Sequence, residues 1–202
     1  ETASFGETTI DAGGFVAKLN AEGEFVWVEP SGSGTFQSAD AISSLADGSS
    51  IVAGRFYDQA SLGNITLESG SNYFEVYIAR ISPEGEFLWA KASNSGETTW
   101  VPNLTDIATL SDGSSIVTGF GVNISFGETT ISKGGFVAKL NAEGQEYQWA
   151  KNVGDSVSGI TTLSDGSSIV TGFFDGTESF GDTTLTSTGL ADAFIAKLNA
   201  NG

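Results

Sequence analysis

The sequence predicts an all-β fold built from blades of four antiparallel strands, about three and a quarter of them, forming part of a β-propeller. Three observations predict it. GGFVAKLNAEG at 13–23 returns as EVYIARISPEG at 75–85, GGFVAKLNAEG at 134–144 and DAFIAKLNANG at 192–202. ADGSSIVAG at 46–54 returns as SDGSSIVTG at 111–119 and again at 164–172. A third segment opens each unit: SFGETTI at 4–10, SLGNITL at 61–67, SFGETTI at 125–131 and SFGDTTL at 179–185. Their order never changes. Residues 1–202 therefore read as a single partial propeller domain with units 4–60, 61–124, 125–178 and an incomplete 179–202.

Each strand follows from local chemistry. Strand A is the β-prone run that ends at an Asp-Gly pair (41–45, 107–110 and 160–163). Asp47-Gly48, Asp112-Gly113 and Asp165-Gly166 each stand between two such runs. That predicts a hairpin with a type I′ turn, whose two central residues need positive φ. Strand B is the SSIV segment that leaves the turn. The Thr-Thr-Ile or Thr-Thr-Leu run after it recurs too regularly for disorder, which predicts a short β element or an ordered loop. Strand C is FVAKL and its relatives. Alternation places Phe15, Ala17 and Leu19 on one face and Val16 and Lys18 on the other. Both faces are largely apolar, as a blade between two neighbours requires. The cation on the second face must then reach an acidic partner or solvent, and a hairpin Asp (Asp47, Asp112 or Asp165) is one candidate partner. A second turn, at 20–23 and 141–144, leads into strand D with Trp27, Trp89 or Trp149. A β-sandwich also uses short strands, but it would not repeat its turns and its Trp in register.

Composition narrows the functional classes. The net charge is −17, with 25 acidic and 8 basic residues, which argues against nucleic acid and anionic membranes as partners. Six of the eight cations fall into two repeat columns: Lys18, Arg80, Lys139 and Lys197 in strand C, Lys91 and Lys151 in strand D. Cations repeated in this way serve the scaffold. The chain has no Cys, His or Met, which removes disulfides, thiolate or imidazole metal sites and His-based triads. Most carboxylates fall in turns, so no acid pair is marked for glycoside hydrolysis, and the chain reads as non-enzymatic. No cofactor is expected. Calcium has only weak support, from Asp175, Glu178 and Asp182 in a segment without a DxDxDG loop. No apolar run is long enough to span a membrane. The chain starts in mid-pattern without an initiator Met, which reads as a piece of something longer.

The motifs DGSSIVTG, SFGDTTL, DAFIAKLN and the strand WAK, in this order, resemble the bacterial β-propeller repeat family. The resemblance covers nearly the whole chain. It implies seven-bladed-type repeats of secreted or surface proteins, hence an extracellular or cell-surface location, and it implies no activity. The Asp that precedes the strand C aromatic in that family survives only as Asp192, with Gly13, Glu75 and Gly134 elsewhere.

Strand C occurs four times and A, B and D three times each, so one chain is not expected to close a ring. The expected partner is therefore the chain itself, as an oligomer or as flanking repeats. Function is sought where the repeat is broken. Trp100 lies in an insertion at 94–103, and Arg55-Phe56-Tyr57 is unique to its unit. Trp100, Arg55 and Tyr57 are thus the candidate ligand-binding residues. The expectation is a scaffold and binding module for adhesion or protein interaction. The alternatives are a subunit of an extracellular β-rich assembly completed in trans and a lectin-like propeller that binds glycans.

Overall fold

The computed structural model describes residues 2–6, 8–11, 13–31, 36–70, 73–95 and 100–202, with backbone alone for Asp11 and Phe36. Among them the chain is all-β, without a helix. It begins with two hairpins, β1 (Thr2–Phe5) with β2 (Thr8–Asp11), then β3 (Phe15–Leu19) with β4 (Phe25–Pro30). The first full sheet has the order β10-β9-β6-β5. It combines β5 (Phe36–Ser44), β6 (Ser50–Tyr57), β9 (Phe74–Ile81) and β10 (Phe87–Ala92), and the hairpin of β7 (Gln59–Leu62) and β8 (Ile65–Glu68) is inserted after β6. The second full sheet holds β12 (Asn103–Thr109), β13 (Ser115–Phe126), β14 (Thr129–Leu140) and β15 (Tyr147–Asn152), with β11 (Asn94–Ser95) on β13. The last sheet has β16 (Ser156–Thr162), β17 (Ser168–Phe174) and β20 (Asp192–Leu198), interrupted by the hairpin of β18 (Thr177–Phe180) and β19 (Thr183–Thr186). The predicted A–B–C–D meander is thus complete twice. It lacks A and B at the first hairpin pair and D at the last sheet. Among the described residues no sheet closes into a barrel.

The turns correct one expectation. Gly48 N–H donates to Leu45 O at 3.0 Å and Leu45 N–H to Ser49 O at 2.8 Å. Gly48 has φ +84°, whereas Asp47 lies outside the positive-φ region. This is a three-residue loop, a type I turn closed by a left-handed glycine, and not type I′. The reason is local. Asp47 Oδ1 accepts both the N–H (3.0 Å) and the hydroxyl (2.6 Å) of Ser49, which holds the Asp in its turn conformation. Asp112 with Ser114 and Asp165 with Ser167 repeat the arrangement. The Thr-Thr segments resolve as hairpins. Their two-residue loops start at Gly63, Gly127 and Gly181 (φ +58°, +65° and +62°), and the second loop residue has no positive φ. That is the type II′ requirement, glycine at the first position. In the second sheet the hairpin is continuous with β13 and β14.

Consecutive sheets pack face to face. Ile51, Ala53, Val76 and Ile78 of the first sheet meet Phe136, Ala138 and Leu140 of the second. Ile116 and Val137, on the opposite face of the second sheet, meet Val170 and Phe194 of the last. Val16 of the first hairpin pair covers Val52 and Ile81. Each of the Val, Ile, Leu and Phe side chains contributes roughly 1.5–3 kcal/mol when buried. The predicted two-sided burial of strand C is realised in β9 and β14, which alternate between one neighbour and the other, whereas Phe15 and Leu19 of β3 and Ile195 of β20 are exposed.

Polar contacts fix the stacking. Trp27 Nε1 donates to Pro83 O at 3.0 Å, and Trp149 Nε1 to Ala200 O at 3.2 Å, each a carbonyl in the next sheet's C–D turn. The turn glycine lies beneath the ring: a Cβ on Gly85 would sit 3.1 Å from Trp27, and one on Gly144 would collide with Trp89. The A strands also bond to one another. Thr109 Oγ1 donates to Ser44 O at 3.0 Å, and Thr162 Oγ1 to Thr109 O at 2.8 Å. The strand C cations find the partners expected of them in two units, Arg80 to Asp47 at 2.6 Å and Lys197 to Asp165 at 3.3 Å. Lys18, for which the chain supplies no A–B turn, donates to Pro83 O of the next sheet at 2.9 Å.

Candidate functional site

Every A strand carries a bulge at one repeat position, between the register pairs of Ala39 and Ala41, Leu104 and Asp106, and Val157 and Gly159. A bulge re-aims the side chain it frees. In the first sheet that side chain is Asp40. It accepts from Arg55 Nε at 2.9 Å and from Ser38 Oγ at 3.0 Å. Arg55 then reaches across to the next sheet, where its Nη1 donates to Pro102 O at 3.3 Å. In the second sheet Thr105 is the freed residue, and its hydroxyl donates to Val157 O at 2.7 Å.

Pro102 ends the segment that carries Trp100. Trp100 is 59% exposed, and Val101 beside it is exposed as well. The Trp100 ring stands edge-on to Phe120, with centroids 6.1 Å apart at 64°. The structure thus brings Arg55 and the Trp100 segment together through Pro102. Tyr57 lies two residues beyond Arg55 on the same side of β6 and packs on Phe74 at 5.4 Å. It braces the strand end, and no described contact links it to Trp100. Residues 96–99 of the insertion lie outside the described residues.

Phe120 is the residue that sequence reasoning missed. It follows the repeat glycine of strand B, the position held by Arg55 in the first sheet and by Phe173 in the last, where the ring is 46% exposed. A signal was available, because this column changes from guanidinium to phenyl while the glycine before it repeats. The site so defined is a ledge with aromatic faces and one anchored guanidinium. It can stack on planar or pyranose rings and accept apolar side chains.

The three carboxylates considered for calcium lie in and beside the last hairpin. Asp175 lies before β18 and Asp182 in the turn beyond it, at opposite ends of a four-residue strand. Among the described residues no group of three Asp or Glu side chains is placed to hold a metal ion. Among the described residues the most buried carboxylate, Glu75 (1% exposed), accepts from Ser93 Oγ and from Ser95 N–H, both at 2.8 Å. Burial raises its pKa. It ties β9 to the segment after β10, a structural task.

No family model matches the chain, and no curated relative matches it. Among solved structures it is similar to a protein of unknown function from Bacteroides caccae, at 15% identity and a TM-score of 0.33, over 93% of this chain and 70% of that one.

Proposed function

We propose that the chain is a non-enzymatic scaffold and binding module, part of a β-propeller in a larger secreted or cell-surface protein, that engages a protein or glycan ligand through the ledge at Trp100. The observation that carries the reading is an exposed Trp100 ring supported by Phe120 on a segment that Arg55 anchors. An aromatic left in water, in an insertion fixed by a guanidinium, is a binding feature more than a packing one. The propeller reading draws support from the repeated meander, the face-to-face stacking and the mutual contacts of the A strands. The surface location is carried over from the family resemblance.

The test is binding of the chain to arrays of glycans and of extracellular proteins, with Trp100→Ala as the paired variant. Binding that the variant loses, at an unchanged melting temperature, is the expected result. Binding that the variant retains removes Trp100 from the site. Silence on both arrays overturns the reading.

Completion in trans is a second reading, favoured by the apolar end faces: Ile195 is 79% exposed at one end, and Leu19 is 51% exposed at the other. A chain that sediments as a monomer at every concentration would count against it.

A further inference from the structure

Two charged side chains of the first sheet hold the ends of the insertion that carries Trp100. Glu75 accepts the Ser95 N–H near its start at 2.8 Å, and Arg55 donates to Pro102 O near its end at 3.3 Å. Arg55 is in turn neutralised by Asp40 at 2.9 Å. Thr105 and Asn152 also spend their polar groups on the protein, on Val157 O at 2.7 Å and on Gly135 O at 2.8 Å. What this frame leaves for a ligand is ring face and charge. Trp100 is 59% and Val101 42% exposed, with Phe120 edge-on to the indole. The ledge belongs to the second sheet, which has a sheet packed on each of its faces.

The charge around it is negative. In each meander the A–B and C–D turns lie at one rim of the stack, and the II′ hairpins and D–A crossings lie at the other, with Trp100. Phe120 stands opposite Gly135, and a Cβ on Gly135 would touch the backbone of Ser156 and Val157 at 3.0 Å. The crossing into the last sheet therefore passes beside the ledge. It carries Asp155, whose Oδ2 accepts the Asp175 N–H at 2.6 Å. Glu128 and Asp182 occupy the hairpin turns of the same rim. Most cations are engaged elsewhere: Arg80 and Lys197 on A–B turn aspartates, Lys18 on Pro83 O, and Lys91 over the Tyr147 ring at 5.8 Å. Lys133, opposite Val122, sets its one positive charge against these rim carboxylates.

We propose that the ledge binds an arginine-bearing segment of a protein partner, one guanidinium lying flat on the Trp100 ring while the rim carboxylates draw its further cations. The inference rests on the Trp100 reading above and narrows the ligand from protein or glycan to a basic polypeptide. A guanidinium is planar and weakly hydrated, and it stacks on an indole face more readily than an ammonium does. In a chain of net charge −17 the approach of a basic segment is also accelerated. An uncharged pyranose would use the same ring face and gain nothing from the charge.

The probe is a peptide with arginine at alternate positions, GRGRGRGRG, titrated into the 202-residue chain beside the same peptide with citrulline for arginine. Saturable binding of the arginine peptide is expected at about 50 mM salt, weakening as salt rises to about 500 mM. Trp100→Ala should weaken it about tenfold at an unchanged melting temperature. The citrulline peptide, similar in shape but uncharged, should bind at least about tenfold more weakly. Asp155→Asn combined with Asp175→Asn should weaken binding about threefold. Glu22→Gln combined with Glu143→Gln makes the same change of charge at the opposite rim, on exposed turns, and should leave binding within about twofold. Absence of saturation, equal binding by Trp100→Ala, equal binding of the citrulline peptide, or equal losses from the two double variants overturns the inference. The arrays distinguish this failure from failure of the ledge itself. Array ligands that are lost with Trp100→Ala but are neutral glycans or acidic proteins would keep the ledge as a binding site and overturn its preference for cations.

Discussion

Asp165 illustrates how single residues set the acid limit of this fold. Its carboxylate accepts the hydroxyl and the N–H of Ser167 and the Lys197 ammonium, and these hold its pKa down at about 2. Asp47 shifts downward for the same reasons, with Ser49 and Arg80 as partners. At Asp112 burial pushes upward, but the Ser114 hydrogen bonds and nearby Lys139 outweigh it. A carboxylate with a depressed folded pKa contributes stability that is complete above its unfolded value and disappears as the pH falls through the folded one. The melting temperature should therefore drop as the pH is lowered from about 4 to about 2, and Asp165→Asn should flatten part of that drop. A melting temperature constant across this window would contradict the assignment. The cation partners of these aspartates were legible in the sequence, because a cation recurring on an otherwise apolar face requires an anion. The turn type was not, since it depends on the Asp–Ser hydrogen bonds.

At the level of the element, the C–D turn depends on glycine twice. Gly144 has φ +71°, and the Trp89 ring occupies the space a Cβ would need. Gly176 has nearly the same φ, +72°, with nothing within 4 Å of such a Cβ. Gly176→Ala should lose about 1 kcal/mol from backbone strain alone, and Gly144→Ala about 2–3 kcal/mol because ring and turn must also separate. Urea unfolding of the two variants measures the difference, and equal losses would remove the Trp contact from the account. Most elements were legible from turns and repeated Trp residues. The first halves of the A strands were not, because the bulges at Asp40, Thr105 and Ser158 break the alternation there. Nor were the II′ hairpins, whose glycine is followed by Asn, Asp or Glu and lacks the usual Asn-Gly signature. At the site, Trp100 stood out as an insertion. Phe120 did not, because a phenyl beside repeated residues reads as scaffold until the fold places Trp100 against it.

For the molecule as a whole, one repeat column reads differently at the two ends of its run. Ile78 and Val137 are fully buried, whereas Ile195, their equivalent in the last sheet, is 79% exposed. A charge placed in this column should therefore have opposite consequences. Ile195→Glu should change the unfolding free energy by less than about 0.5 kcal/mol, as exposed substitutions do. Val137→Glu buries an unpaired carboxylate between two sheets and should lose several kcal/mol or fail to fold. Chemical denaturation of the pair decides it; a large loss in Ile195→Glu would mean that the last face is covered in solution.

The indoles give this stack a direction. Trp27, Trp89 and Trp149 all reach forward, onto the turns at 82–85, 141–144 and 199–202, and none reaches back. The sheets overlap like roof tiles, each pinned by the one before it. Damage is accordingly one-sided: loss of the Trp89 or Trp149 indole loosens the turn downstream and leaves its own sheet's turn held from upstream.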